Sequence, residues 1–270
     1  MSCIFCMSDG PYTTVEHIIP ESLGNTENIL TGVVCDKCQN YFGKEVESYV
    51  LSKSPFAFWR VLYNLKSKKG KSPYYDTTLP LIQKGSIPDT HIYNDNNIIF
   101  HPANISEESI VEVEINDKEL QNSILSGNKN KINIMMTPKM LIQIGRFLGK
   151  MALEFLYKAY GDEVFDKRYD DIRKYARYGT VKTIWPVLHS SLNKSLINFK
   201  IDEDNDSMET RTLYRYGIYD LIRYNTRLFI FDIGQDRFGI ILDEQFPDYS
   251  VINDLVDNEG NKMEFIWYRL

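Results

Sequence analysis

Four cysteines stand in two identically spaced pairs, Cys3-x-x-Cys6 and Cys35-x-x-Cys38, and the 270-residue chain has no others. A C-x-x-C loop lets both thiolates reach one ion, and four soft sulfur donors form the tetrahedral set that zinc favours. The opening Met1-Ser2-Cys3-Ile4-Phe5-Cys6 has neither the basic start nor the long apolar run of a signal peptide. The pairs therefore read as metal ligands rather than as a disulfide framework. A thiol redox use would want one such pair ahead of a helix in a parallel βαβ unit, and that setting is absent from the pattern. Four sulfurs fill zinc's coordination sphere, so the metal is expected to be structural, and any chemistry has to come from other side chains.

Those side chains are sought between the pairs. The segment reads Val15-Glu16-His17-Ile18-Ile19-Pro20, then Leu23-Gly24-Asn25-Thr26-Glu27-Asn28-Ile29-Leu30, and it runs into Cys35-Asp36-Lys37-Cys38-Gln39-Asn40-Tyr41-Phe42-Gly43-Lys44. A neutral imidazole can take a proton from water near cellular pH, and a carboxylate beside it can hold a hard cation. From residue 3 to about 46 the sequence resembles the HNH endonucleases, nucleases of the ββα-metal fold, in the form where two C-x-x-C zinc pairs bracket an acidic-His-Ile/Val-x-Pro core.

The resemblance implies a set of roles. His17 is the general base that activates water, and Glu16 is a ligand of one divalent ion, Mg2+ or Mn2+, held against the scissile phosphate. The family's last ligand follows the final cysteine; here that position is Gln39 with Asn40 after it, so the ligand is either one, with Asn40 favoured as the shorter amide. Asn28 matches the middle Asn of the family name and takes its supporting role, ordering the loop and fixing the base. The substrate implied is DNA, and a setting in restriction or anti-phage defence, with a partner protein, is a family-level association. Duplex cutting by a single site calls for two copies, which makes a homodimer an expectation. The alternative is a zinc-stabilised module that binds nucleic acid or protein without cutting, and Gln39 is the main reason to keep it. The remaining histidines, His91, His101 and His189, lack a partner motif and read as ordinary histidines.

The first 50 residues carry seven acidic and two basic side chains, a balance that repels phosphates. Residues 51 to 71 reverse it, with Lys53, Arg60, Lys66, Lys68, Lys69 and Lys71, no acid, and Phe56, Phe58, Trp59 and Tyr63 interleaved. They are the candidate nucleic-acid contacts. A second acid-free stretch, Gln121 to Leu153, holds Lys129, Lys131, Lys139, Arg146 and Lys150, and Arg168, Arg173, Lys174 and Arg177 follow near Asp166, Asp170 and Asp171, an arrangement that equally suits a salt-bridged helix. The net charge of −6 argues against a protein that coats nucleic acid by bulk charge.

The elements that position these residues follow from periodicity. The first unit reads as strand, loop, strand and a helix from Asp36 to about Ser52. Residues 75 to 135 alternate in strand-like pieces. Thr137-Pro138 is an N-cap and first-turn proline ahead of the stripe Leu141, Ile144, Leu148, Met151, Ala152, Phe155 and Leu156, which predicts a helix ending near Gly161. A second helix is predicted over Glu163 to Tyr178. Strands follow at Tyr214 to Tyr224, Leu228 to Ile233, Phe238 to Leu242 and Lys262 to Tyr268. The expected fold class is α+β: a small zinc-stapled ββα-metal module over residues 1–53, then a larger mixed domain over 54–270 that positions substrate or a partner. With 43% hydrophobic and 25% charged residues the chain is a globular type, and no apolar run approaches a membrane span. It reads as cytoplasmic.

Overall fold

A computed structural model describes residues 2–81, 92–103, 111–128, 136–179, 185–192, 199–200, 209–210, 213–243 and 266–268. The protein is α+β and divides into two compact units, Met1–Glu47 with Leu141–Leu270, and Ser48–Met140. This division runs differently from the boundary expected at 53/54. Met1–Glu47 shares a unit with the long helix and sheet of the segment that begins at Leu141. Contacts that join those segments, such as Lys150 with the His17 carbonyl and Arg177 with Cys38, span 133 and 139 residues.

In the first unit β1 (Val15–His17) pairs antiparallel with β2 (Ile29–Thr31), with His17 opposite Ile29, and α1 (Asp36–Phe42) follows. This is the ββα order expected of the module. Phe5, Ile18, Ile19, Leu23 and Phe42 are buried, and the rings of Phe5 and Phe42 meet edge-on at 4.6 Å. The helical path does not run regularly to Ser52 as its periodicity suggested. A π-helical turn occupies Gly43–Glu47, and α2 (Ser48–Lys53) resumes after it.

The second unit contains α2, α3 (Pro55–Leu62), the antiparallel sheet β3 (Tyr75–Leu81), β4 (Ile92–Pro102), β5 (Val111–Ile115) in that order, and α4 (Lys118–Leu125). Ser54 caps α3 by accepting from the amide of Phe56, and Asp117 caps α4 by accepting from Glu119 and Leu120. Sequence reading had only strands between 75 and 135. Helix α4 escaped it because Lys118–Leu125 is largely polar and none of its residues is buried.

The first unit resumes with α5 (Pro138–Tyr160), opened by Thr137, whose hydroxyl accepts from the Met140 amide. All seven residues of the predicted apolar stripe are buried. The single helix predicted over Glu163–Tyr178 is instead two short 3-10 turns, Gly161–Phe165 and Lys167–Tyr169, followed by α6 (Asp170–Tyr178). Asp166 breaks it: at φ −59°, ψ 142° its backbone is extended and its side chain caps Arg168. The remaining strands are β6 (Val187–Ser191), β7 (Phe199–Lys200), β8 (Glu209–Thr210), β9 (Tyr214–Leu221), β10 (Thr226–Ile233), β11 (Asp236–Ile241) and β12 (Ile266–Tyr268). Five of them form an antiparallel sheet in the order β12-β6-β11-β10-β9, and Phe155 of α5 stacks on Phe229 and Tyr216 of that sheet. No described helix is long and apolar enough to cross a membrane.

Candidate nuclease centre

The two cysteine pairs converge. Cys3 and Cys6 lie on a tight knuckle in which the Cys3 amide bonds the Ser8 carbonyl and the Met7 amide returns to Cys3, with Met7 at φ 59°. Cys35 is the N-cap of α1 and Cys38 sits in its first turn. The four sulfurs lie within 4.8 Å of one another, and Cys6 and Cys35 approach to 3.6 Å. Zinc–sulfur bonds of about 2.3 Å at tetrahedral angles require sulfurs roughly 3.8 Å apart, so donor type and spacing both fit one zinc ion. Hydrogen bonding from Cys38 draws the Cys3 thiol down to about 4 and pushes the Cys38 thiol up. Two arginines of α6 brace this site. Arg173, 3% exposed, donates to the Ile4 carbonyl at 2.9 Å, and Arg177 donates to Cys38 Sγ at 3.3 Å while lying 3.6 Å above the Tyr41 ring. Burial works against the Arg177 charge, but the bond to Cys38 outweighs it and raises the guanidinium's pKa.

His17 ends β1. Its Nε2 lies 3.0 Å from Glu21 Oε1, while Nδ1 is buried and has no hydrogen-bond partner among the described residues. With Glu21 accepting from Nε2–H, the lone pair stands on Nδ1. Glu21 was not singled out from sequence. It sits four residues after His17, across the Pro20 turn, and that spacing was the available signal.

Strand alternation sends the neighbouring Glu16 inward, where it is 8% exposed. Its Oε1 lies 2.6 Å from Nζ of Lys150, a fully buried residue of α5. The same ammonium is 3.0 Å from Glu47 Oε1, 3.2 Å from Glu154 Oε2 and 3.4 Å from the main-chain carbonyl of His17. Burial alone would lower the Lys150 amine, but the three carboxylates hold it well above its ordinary value; burial drives the Glu154 carboxyl up.

Of the two amides after the last cysteine, Gln39 is turned inward: its Nε2 is buried and unpartnered, whereas Asn40 is exposed. A hard ion that keeps most of its water needs only one or two protein oxygens. The Glu16 carboxylate and the carbonyl oxygen of the Gln39 amide are donors of that kind. Asn28 directly precedes β2. Its Oδ1 accepts from Lys158 Nζ at 2.7 Å and Tyr216 Oη at 3.0 Å, and its main-chain carbonyl accepts from Ile18. The side chain that ties the loop together is Asn25, 2% exposed, which donates to the Ile19 carbonyl at 2.8 Å and accepts from the amides of Glu27 and Asn28. An Asn after Gly24 in a loop was the signal for that turn.

The basic residues divide sharply. Lys66, Lys68, Lys69 and Lys71 are exposed around a turn at Gly70. Lys53 is paired with Asp76 at 2.6 Å. Arg60 is buried and donates to the carbonyls of Leu51 and Leu65, which removes it from any phosphate-facing surface. Phe56 and Trp59 are buried, and Phe58 packs on Tyr75 and Phe100, so these aromatics are core. In the second acid-free stretch Arg146 and Lys150 are buried, and Lys129 and Lys131 lie outside the described residues. Arg168, Arg173 and Lys174 pair with Glu163, Asp170 and Asp171, the salt-bridged arrangement. His101 faces Glu114 at 3.5 Å, His189 faces Asp236 at 2.8 Å, and His91 lies outside the described residues.

A ββα hairpin-and-helix closed by four cysteines, with Glu16 and His17 side by side on its first strand, has a counterpart among known families, although no curated protein and no solved structure matches the chain. Residues 3–54 match the family model of the HNH endonucleases, and this amino-terminal module is therefore a member of the HNH endonuclease family.

Proposed function

We propose that the protein is a metal-dependent nuclease that hydrolyses phosphodiester bonds in DNA. The observation that carries the reading is His17: one ring nitrogen is engaged by Glu21, and the other, Nδ1, is buried, unpartnered and able to accept a proton. His17 Nδ1 takes a proton from water as the oxygen attacks phosphorus, the bond to the leaving oxygen breaks, and that oxygen is protonated from solvent. Glu21 holds the ring and steadies the imidazolium that forms. Glu16 and Gln39 are the residues proposed to hold Mg2+ or Mn2+, with Asn40, which is exposed, the weaker candidate. When bound, the ion neutralises charge on the scissile phosphate. Cys3, Cys6, Cys35 and Cys38 hold a structural zinc and take no part in the chemistry.

Asn28 is proposed to support the site by tying β2 to Lys158 and Tyr216, with Asn25 ordering the loop. Lys66, Lys68, Lys69 and Lys71 are the proposed phosphate contacts of the second unit, the rest of residues 54–270 positions the substrate, and a homodimer would place two sites on a duplex. A role in restriction or anti-phage defence, in the cytoplasm and alongside a partner protein, rests on family association alone.

The test is incubation of wild type and His17→Ala, both with zinc confirmed, with plasmid and linear DNA in Mg2+ or Mn2+ and in EDTA. Metal-dependent cleavage lost in the variant is the expected result. One observation favours a second reading, a module that binds without cutting: the Glu16 carboxylate already carries a cation in Lys150. Absence of cleavage by folded, zinc-loaded wild type on every DNA tried would select it.

A further inference from the structure

Lys150 is the outlier of the molecule. An ammonium with no exposed surface is rare unless its charge is answered, because desolvating it costs several kcal/mol. Here three carboxyl groups surround it, Glu16, Glu47 and Glu154. An isolated ion pair would have served stability as well, and a hydrophobic side chain often serves it better. The arrangement therefore calls for another explanation, and its geometry supplies one. Lys150 reaches oxygens of different elements: Glu16 and the His17 carbonyl on β1, Glu47 at the end of the π turn and, as an ion-pair neighbour, Glu154 one helical turn along α5. The π turn matters because its wider winding changes the direction in which Glu47 leaves the helix.

We propose that Lys150 is a positioning residue for the nuclease centre, a clamp from α5 that fixes Glu16 through its carboxylate and His17 through its main chain. The inference rests on the nuclease reading for the consequence in rate, though not for the clamp itself. β1 is three residues long and paired on one side only with β2, so hydrogen bonding to β2 alone leaves it weakly fixed. Side chains that must act together need to be held within about half an ångström, and that work falls to the groups bonded behind them. Residues 3–54, the span shared with the HNH family, contain Glu16 and Glu47 but not the cation that joins them. The downstream part of the chain completes the centre.

The experiment uses the full chain with three variants: Lys150→Met, the pair Lys150→Met with Glu154→Leu, and Met151→Ala as a control. Met151 is a buried, uncharged neighbour on the same helix. The pair removes both fully buried polar groups together, and Glu16 and Glu47 keep part of their surface exposed, so a folded protein is expected even if Lys150→Met alone fails to fold. Hydrogen exchange of residues 15–18 is compared with that of α1, with zinc content checked throughout. The clamp predicts that exchange at β1 rises roughly tenfold relative to α1 in the Lys150 variants and not in Met151→Ala. For an enzyme that cuts, cleavage should fall, and the loss should nearly vanish when measured in a His17→Ala background, since a residue acting through His17 has nothing left to position. Unchanged β1 exchange in the folded pair, or an equal rise in Met151→Ala, overturns the proposal, as does a loss of rate that adds fully to that of His17→Ala. Failure of wild type to cleave DNA overturns the nuclease reading alone, and the exchange ratio still decides the clamp.

Discussion

Arg177 Nε donates to the sulfur of Cys38 across 3.3 Å, reaching from α6 to the first turn of α1. A zinc site of four thiolates carries a formal charge of −2, and a cationic donor on one sulfur offsets it. The guanidinium is held in place by the Tyr41 ring beneath it, and Arg146 donates to the Tyr41 hydroxyl at 2.8 Å. Arg177→Met should leave the fold intact but speed zinc transfer to a colorimetric chelator about tenfold, the usual effect of losing a group bonded to a metal ligand. Arg177→Lys should restore little, because an ammonium lacks the planar face that stacks on Tyr41. Release at the wild-type rate from a folded Arg177→Met protein would show that the bond contributes nothing to zinc retention.

A second prediction concerns the packing of α5 on α6. Gly145 has the Tyr175 hydroxyl 2.5 Å from where a Cβ would stand, and the Tyr175 ring, buried and stacked on Trp185, has little room to withdraw. In an exposed helix Gly→Ala stabilises by about 1 kcal/mol, so the sign is diagnostic. Here Gly145→Ala should destabilise by about 1–3 kcal/mol in thermal or urea unfolding, as overpacking does. Adding Tyr175→Phe removes the atom in conflict and should recover part of the loss, giving a coupling that independent sites would not show.

How much of this was legible in sequence depended on the range of the interaction. The cysteine pairs and Glu16-His17-Ile18-Ile19-Pro20 were readable because short, fixed spacings specify them, and the α5 stripe because 3.6-residue periodicity does. Lys150, by contrast, read as one more cation in an acid-free stretch, and Arg177 as half of a helix-surface ion pair. Their partners, His17 and Cys38, are 133 and 139 residues away, a separation across which spacing carries no information. One local hint existed for Lys150. Arg146, Lys150 and Glu154 recur every fourth residue along a helix that is otherwise apolar around most of its circumference, and charges on an interior helix must have partners. Asn28 and Asn25 illustrate the opposite case: type and order suggested which Asn mattered, but only the loop's hydrogen bonds show that Asn25 ties it.

The last prediction follows from Glu154. Its carboxyl is fully buried, and neither oxygen has a hydrogen bond among the described residues; Lys150, 3.2 Å away, is an ion-pair neighbour without hydrogen-bond geometry. Burial raises its pKa well above 4.5, helped by the charges of Glu16 and Glu47 and opposed by Lys150. A carboxyl whose folded pKa is raised binds its proton more tightly folded than unfolded. Its contribution to stability is complete below the unfolded pKa and is lost as pH rises from about 4.5 through the folded value. Glu154→Gln keeps the size, supplies a donor and removes the titration. Since Lys150 retains Glu16 and Glu47, the usual penalty for orphaning a buried cation does not apply. The variant should therefore match wild type near pH 4.5 and exceed it by about 1–2 kcal/mol at pH 8, with a flatter pH profile in urea unfolding. A variant weaker than wild type at pH 8 would mean that Glu154 is ionised in the fold and that Lys150 depends on it as much as on Glu16.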